Sequence, residues 1–398
     1  MSMIFQTFDD KKECSAIYAS NKLHFKRFPA KLTKTWSYSE SLKEKDIDYA
    51  QIFCAGKTLD EICPPQYKKE WEQSKKKLNA FRRACTETSL NLNDHCFYDL
   101  VPKFFLEDLS RVKNKICNYV FSNYEKPENY EFTLNLIKIL TEIKNTSVKV
   151  DYSELNPRMH EFKVRNFILN NKNTLPYITY DPFKTKTGRL TTKPNSFPIL
   201  TMDKTYRKIL KPKNDWYLEF DFNAAELRVL LGLLGKEQPQ EDIHEWNMKN
   251  VYRDLTTREE AKKRIFAWLY NPKSKDYLSN RAYDRDSVLQ KYYNGSQVTT
   301  FWNRTIDSDD HHALNYIIQS TAADLFFKQM IKVWKMLEGR ESKIAFCMHD
   351  SLIIDYCEKD NDILVKLKKA FSSTELGDFM VNVSVGKSYG QMNGLRLK

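Results

Sequence analysis

The sequence predicts an α+β fold, on three observations. In residues 215–235, DWYLEFDFNAAELRVLLGLLG, the hydrophobic period changes from that of a strand to that of a helix at a carboxylate. Between residues 64 and 143, three amphipathic helical patterns follow one another. Residues 343–356, KIAFCMHDSLIIDY, read as two short strands interrupted by His349-Asp350.

The first of these stretches organises the rest. Trp216, Leu218 and Phe220 alternate with Tyr217 and Glu219, whereas Leu227, Leu230, Leu231 and Leu234 recur at helical spacing. Asp221 sits at the junction. An aspartate there either caps the helix or, held rigidly at the end of a strand and facing open space, serves as a metal ligand.

Composition narrows the classes. The 398 residues allow one large or two to three ordinary domains with a real core. Lys and Arg outnumber Asp and Glu 64 to 52, a net charge of +12 that favours a polyanionic partner such as nucleic acid. The eight cysteines contain no CxxC pair and read as free thiols in a reducing compartment. The start, MSMIFQTFDDKKE, lacks the apolar core of a signal peptide, and the longest apolar run, residues 229–234, is too short to span a bilayer. A cytosolic location follows by default.

Residues 1–60 show no strong periodicity and receive no assignment. After Pro64-Pro65, a helix carries Tyr67, Trp71, Leu78, Phe81 and Cys85 on one face. Its other faces carry Lys68, Lys69, Lys75, Lys76, Lys77, Arg82 and Arg83. A second helix buries Phe105, Leu109, Val112, Ile116 and Val120, with Arg111, Lys113 and Lys115 outside, and a third spans residues 130–143. Two basic helices side by side either clamp a phosphate backbone or simply present a solvated face. Beyond them the chain is loop-rich through Asp181-Pro182 and Lys193-Pro194-Asn195, without repeats or low-complexity segments.

Residues 256–271, TTREEAKKRIFAWLYN, form a strong helix pattern with Thr256 or Thr257 as cap and Glu259 and Glu260 in the first turn. Arg258, Lys262, Phe266 and Tyr270 lie four apart, along a stripe roughly 18 Å long. Two cations followed by two aromatics can hold a triphosphate at one end and stack a base at the other. Alternatively the aromatics enter the core and the cations snorkel, although Ile265, Trp268 and Leu269 already supply another apolar face. In residues 343–356, a hairpin beside the first strand brings Asp350 near Asp221, and two such carboxylates can share a pair of hard cations. His349 alone reads first as a structural histidine, and Cys347 with His349 finds no further zinc ligand nearby.

With these pieces in order, the chain resembles the polymerase domain of family A DNA polymerases, the group of bacterial polymerase I and many phage replicases. DFNAAELR at 221–228 looks like the first catalytic motif, REEAKKRIFAWLY at 258–270 like the fingers helix, and HDS at 349–351 like the last catalytic motif at two positions of three. TGRL at 187–190, NYIIQSTAAD at 315–324 and VNVSVGKSYG at 381–390 are weaker matches in the right order. The resemblance covers roughly residues 185–390, and extends back to about 60 if the basic helices are the thumb.

The resemblance implies a right-hand polymerase fold with an antiparallel-sheet palm, helical fingers and helical thumb. Residues 61–180 would hold thumb and the start of the palm, 181–235 palm, 236–315 fingers and 316–398 palm again. It implies addition of dNTPs to the 3′ end of a primer on template DNA, with two Mg²⁺ ions, or Mn²⁺ in their place, on Asp221 and Asp350. Arg258, Lys262 and His244 would grip the phosphates, Lys262 also protonating the leaving group. Phe266 and Tyr270 would stack at the incoming base and the template position, and Glu226 would exclude a 2′-hydroxyl. Arg189, Asn315 and Gln319 would touch primer and template through the minor groove, His349 the primer terminus, and Lys75, Lys76 and Lys77 the DNA backbone. A bacterial or phage-infected host cytoplasm is the matching compartment, with no membrane partner and a possible processivity partner.

The departures are specific. Ser351 replaces a carboxylate, as in single-subunit RNA polymerases, which are the alternative reading. Ala224 stands where a polar residue is usual, His311 where an arginine is usual, and Ala267 and Asn271 where the fingers helix usually has glycines. The fingers look short, and residues 1–60 are too few for a proofreading exonuclease in front.

Overall fold

The computed structural model describes residues 3–8, 16–90, 92, 95–172 and 176–397, so Cys14 lies outside the described residues. The chain divides into two compact units, Met1–Ser147 with Arg165–Tyr177, and Val148–Val164 with Ile178–Lys398.

The first unit contains a sheet that the sequence did not reveal. Its five strands run Met3–Thr7, Ile17–Ala19, Lys22–His24, Leu32–Thr35 and Asp48–Tyr49, in the spatial order third, second, first, fourth, fifth. The first three pair antiparallel, and the fourth and fifth join parallel. Alternate residues enter different cores. Tyr18 joins a cluster with Trp71 and, from the helix Lys103–Asn123, Phe105, Leu109, Val112, Ile116 and Val120. Phe5 and Ile17 join a second cluster with Tyr130 and Leu134 of the helix Tyr130–Lys144. The helix Pro65–Glu87 begins at the expected prolines and lays Leu78, Phe81 and Cys85 on the first cluster. Residues on both sides of position 61 therefore share one core.

The second unit is built on an antiparallel sheet. Its strands, in spatial order, are Lys343–Met348, Ser351–Tyr356, Trp216–Phe222, Val381–Gly386 and Asn393–Gly394. All four pairings are antiparallel. The central strand alternates as its sequence requires. Phe220 and Phe222 meet Phe371 of the helix Leu364–Ser372, with ring centroids 5.7 and 4.5 Å apart. Glu219 and Asp221 therefore project to the other face. The long helix Ala313–Met336 supplies Phe326 to the same cluster, 6.1 Å from Phe371.

Candidate active site

The strand ladder brings the two predicted carboxylates together. Asp221 lies opposite Ser351 on one side and Asn382 on the other, and Met348 pairs with Ser351 around the two-residue turn His349-Asp350. Asp350 thus stands one residue beyond the rung that holds Asp221. His349 closes the turn in the left-handed region, φ 54°, and is exposed. The buried Tyr180 hydroxyl staples the strand before the turn, donating to the Cys347 carbonyl at 2.6 Å and accepting from the Cys347 amide at 3.0 Å.

Asp221 does not cap the following helix. The residue in cap position is Ala224, at φ 52° and without a side-chain cap. Instead Asp221 Oδ1 accepts a 2.6 Å hydrogen bond from Ser351 Oγ. Burial pushes its carboxyl upward, while Ser351 and Asn382 pull it back. Asp350 is also pushed up, by burial first and then by the charges of Glu226 and Asp221, against the pull of Arg189. Glu219 is raised by burial and by Asp221. Crowded half-buried carboxylates are costly without a cation to neutralise them.

The helix Arg258–Tyr270 has the predicted polarity. Thr257 and Glu260 form a capping box, and Ala261, Ile265, Trp268 and Leu269 are buried. Phe266 and Tyr270 stack with centroids 5.8 Å apart, and His244 packs on Phe266 at 5.6 Å. The Tyr270 hydroxyl donates to Glu226 Oε2, and Arg189 Nη2 reaches Glu226 Oε1 at 2.5 Å. Glu226, only 11% exposed along its side chain, therefore joins TGRL to the helix. Lys262 is half-buried and makes no ion pair among the described residues.

Sequence reasoning missed what holds Arg258. Asp242 takes its Nε at 3.0 Å and Nη2 at 2.8 Å, and caps the helix Ile243–Asn250 through the His244 and Glu245 amides. Burial opposes the charge on Asp242, yet hydrogen bonds from Arg258, Asn223 and the Glu245 amide hold it well below the usual carboxylate range. Asn223 Nδ2 donates to Asp242 at 2.8 Å. Arg228, fully buried, donates to the carbonyls of Asn223, Pro239 and Glu241 and to Asn223 Oδ1. Burial lowers its pKa to about 10. The available signal was the two polar residues inside DFNAAELR, Asn223 and Arg228, together with Asp242 two residues before His244. Burial also pulls His244 down to about 4, so its imidazole is neutral at pH 7.

Asn315 and Gln319 sit half-buried one turn apart on the long helix, and Asn315 Oδ1 is buried without a hydrogen-bond partner among the described residues. In the first unit, Lys75 is engaged by Asp60 at 2.7 Å, an acid that also accepts from Trp71 Nε1. Lys76 and Lys77 are exposed and form no ion pair among the described residues. On the neighbouring helix, Lys115 pairs with Glu70 and Arg111 with Asp108. Among the described residues, the exposed lysines of this cluster without an ion pair, Lys76 and Lys77, thus lie on the helix Pro65–Glu87.

The chain is similar, in sequence and in fold, to the polymerase domain of the DNA polymerase I kind, that of family A. No protein-family model matches the chain. It is 24% identical over 284 residues to DNA polymerase I of Borreliella burgdorferi, covering 57% of this chain and 31% of that protein. It is 23% identical over 314 residues to DNA polymerase I of Chloroflexus aurantiacus, covering 65% and 32%. The chain thus spans about a third of the length of these curated relatives. Its fold matches the POL domain of Pol1 from M. smegmatis, solved in complex with DNA primer-template and dNTP. The TM-score is 0.67 at 12% identity, over 98% of this chain and 96% of that one. Among the described residues, no helix is long and apolar enough to cross a membrane.

Proposed function

We propose that this chain is a template-directed DNA polymerase that adds dNTPs to a primer 3′ end. The observation that carries the reading is the register of Asp221 against Ser351, which sets Asp350 beside Asp221 at one end of the sheet's central strands.

The donor set fits Mg²⁺. Among the described residues no group of three or more His, Cys, Asp or Glu forms a metal cage, and Mg²⁺ characteristically uses one or two carboxylates while water and substrate phosphates complete its shell. Asp221 and Asp350 would hold two ions, with Mn²⁺ as a substitute. Bound there, the metal lowers the pKa of a hydroxyl and neutralises phosphate charge. Lys262, unpaired, would meet the triphosphate and deliver a proton to the departing pyrophosphate. Arg258, oriented by Asp242 and donating from Nη1 to Glu259 at 2.8 Å, would turn that outer nitrogen to the same phosphates, and His244 would add a donor. Phe266 and Tyr270 present a stacked aromatic surface suited to a base pair. Glu226 would stand against a 2′-hydroxyl. Arg189, Asn315 and Gln319 would face the minor groove, and His349, exposed at its turn, the primer terminus. Lys76 and Lys77, more than Lys75, would hold the DNA backbone. A cytoplasmic compartment of a bacterium or phage-infected host suits this reading.

One observation favours the RNA polymerase alternative, Ser351 in place of a third acid; the enclosed Glu226 opposes it. Primer extension on a mixed-sequence template separates the two. Preferential use of dNTPs, without degradation of a mispaired end, supports the proposal. Preferential use of rNTPs overturns it in favour of the alternative.

A further inference from the structure

We infer that Arg304, outside every motif noted in the sequence, is a positioning residue that acts through Gly188 on Arg189. Its backbone is fixed in a tight loop, where the Thr300 amide donates to the Arg304 carbonyl at 2.8 Å and the Arg304 amide to Thr300 Oγ1 at 3.2 Å. Its guanidinium then joins two elements. Nη2 donates to the Thr187 carbonyl at 2.9 Å and to the Ser320 carbonyl of the long helix at 3.2 Å, and lies 3.3 Å from Asp324 Oδ1 on that helix.

Gly188 is required beside it for two reasons. Its φ is +77°, and a Cβ there would fall 2.3 Å from Arg304 Nη1. The guanidinium plane therefore rests on the backbone of the TGRL turn, which Thr185 Oγ1 closes by donating to the Arg189 carbonyl at 2.8 Å. Arg189 leaves that turn toward Glu226 and pulls on the Asp350 carboxyl. All three contacts come from Nη2, so what a lysine lacks here is the flat guanidinium that packs against Gly188. The pair is only part-buried, the side chains of Arg304 and Asp324 being 26% and 12% exposed.

The consequence for turnover rests on the polymerase reading, so the test has two arms. The first needs no activity. Amide hydrogen exchange at residues 187–189 is compared between the wild type and Arg304→Lys. Exchange at least about tenfold faster, with a melting temperature within about 4 °C of wild type, supports the inference; unchanged exchange overturns it. The second is single-nucleotide incorporation by Arg304→Lys, Arg189→Ala and the double variant. The account expects a fall of about 10- to 100-fold in kcat for Arg304→Lys and no further fall when Arg189 is already alanine. Full multiplication of the two losses overturns it. Thr300→Val, which removes the hydroxyl that fixes the Arg304 backbone and leaves the 187–189 turn unaltered, should shift both results in the same direction, and stands in if Arg304→Lys does not fold. A wild type that extends no primer sinks the polymerase reading and leaves the exchange result to decide the inference.

Discussion

Ser351 Oγ donates a 2.6 Å hydrogen bond to Asp221 Oδ1 across the strand ladder. The residue that departs from the family pattern thereby orients one of the two carboxylates that remain. Groups that orient a metal ligand commonly affect metal affinity by about 10- to 100-fold. Ser351→Ala should therefore raise the Mg²⁺ concentration at half-maximal primer extension by about tenfold and leave DNA affinity unchanged. A metal titration of single-nucleotide incorporation checks this, and an unaltered midpoint would mean that the hydroxyl has no part in presenting Asp221.

Glu226 is held on two sides, by Arg189 and by the Tyr270 hydroxyl. On the proposed function, a carboxylate so fixed would stand as a wall against an added hydroxyl. Glu226→Ala should lower the preference for dNTP over rNTP by about 100-fold, measured as the ratio of kcat/KM values. Because the same change frees Tyr270 and Arg189, absolute turnover should fall as well.

The basic helix of the first unit divides into engaged and free cations. Each phosphate contact contributes about 0.9 to the slope of log K against log salt. Lys76→Glu with Lys77→Glu should reduce the magnitude of that slope by about two, whereas Lys75→Ala, whose ammonium already pairs with Asp60, should leave it nearly unchanged. Fluorescence anisotropy over a salt series reads both.

His244 couples folding to pH. Its folded pKa is about 4, below the ordinary value of 6.5. The unfolded chain therefore binds a proton, as pH falls through 6.5, that the folded chain refuses. Stability from this site is complete above pH 6.5 and is lost as pH falls toward 4, up to about 3 kcal/mol. His244→Gln should flatten the stability difference between pH 7 and 4.5 relative to wild type, as measured by denaturant unfolding.

The sequence exposes what is periodic and long. The change of period at Asp221, the His349-Asp350 hairpin and the ladder from Arg258 to Tyr270 were all legible, because each is a run long enough to display two or more turns or rungs. The sheet in residues 3–49 was not. Its strands are two to five residues long and both faces enter cores, so neither length nor alternation marks them. The polar framework was hidden for a different reason. Asp242 with Arg258, and Arg304 with Asp324, join residues 16 and 20 positions apart, and nothing in spacing alone distinguishes such pairs from surface charges.

On the proposed function, Asp221 and Asp350 would jointly hold the metal ions that support nucleotidyl transfer. This is tested most directly by single-turnover incorporation of one correct dNTP over a Mg²⁺ series, for the wild type, Asp221→Asn and Asp350→Asn, with primer-template affinity measured in parallel. The account predicts that each substitution lowers the rate by at least about a thousandfold while DNA affinity stays within about threefold, since a lost metal ligand costs transition-state stabilisation and not phosphate contacts. Near wild-type incorporation by either variant would contradict it.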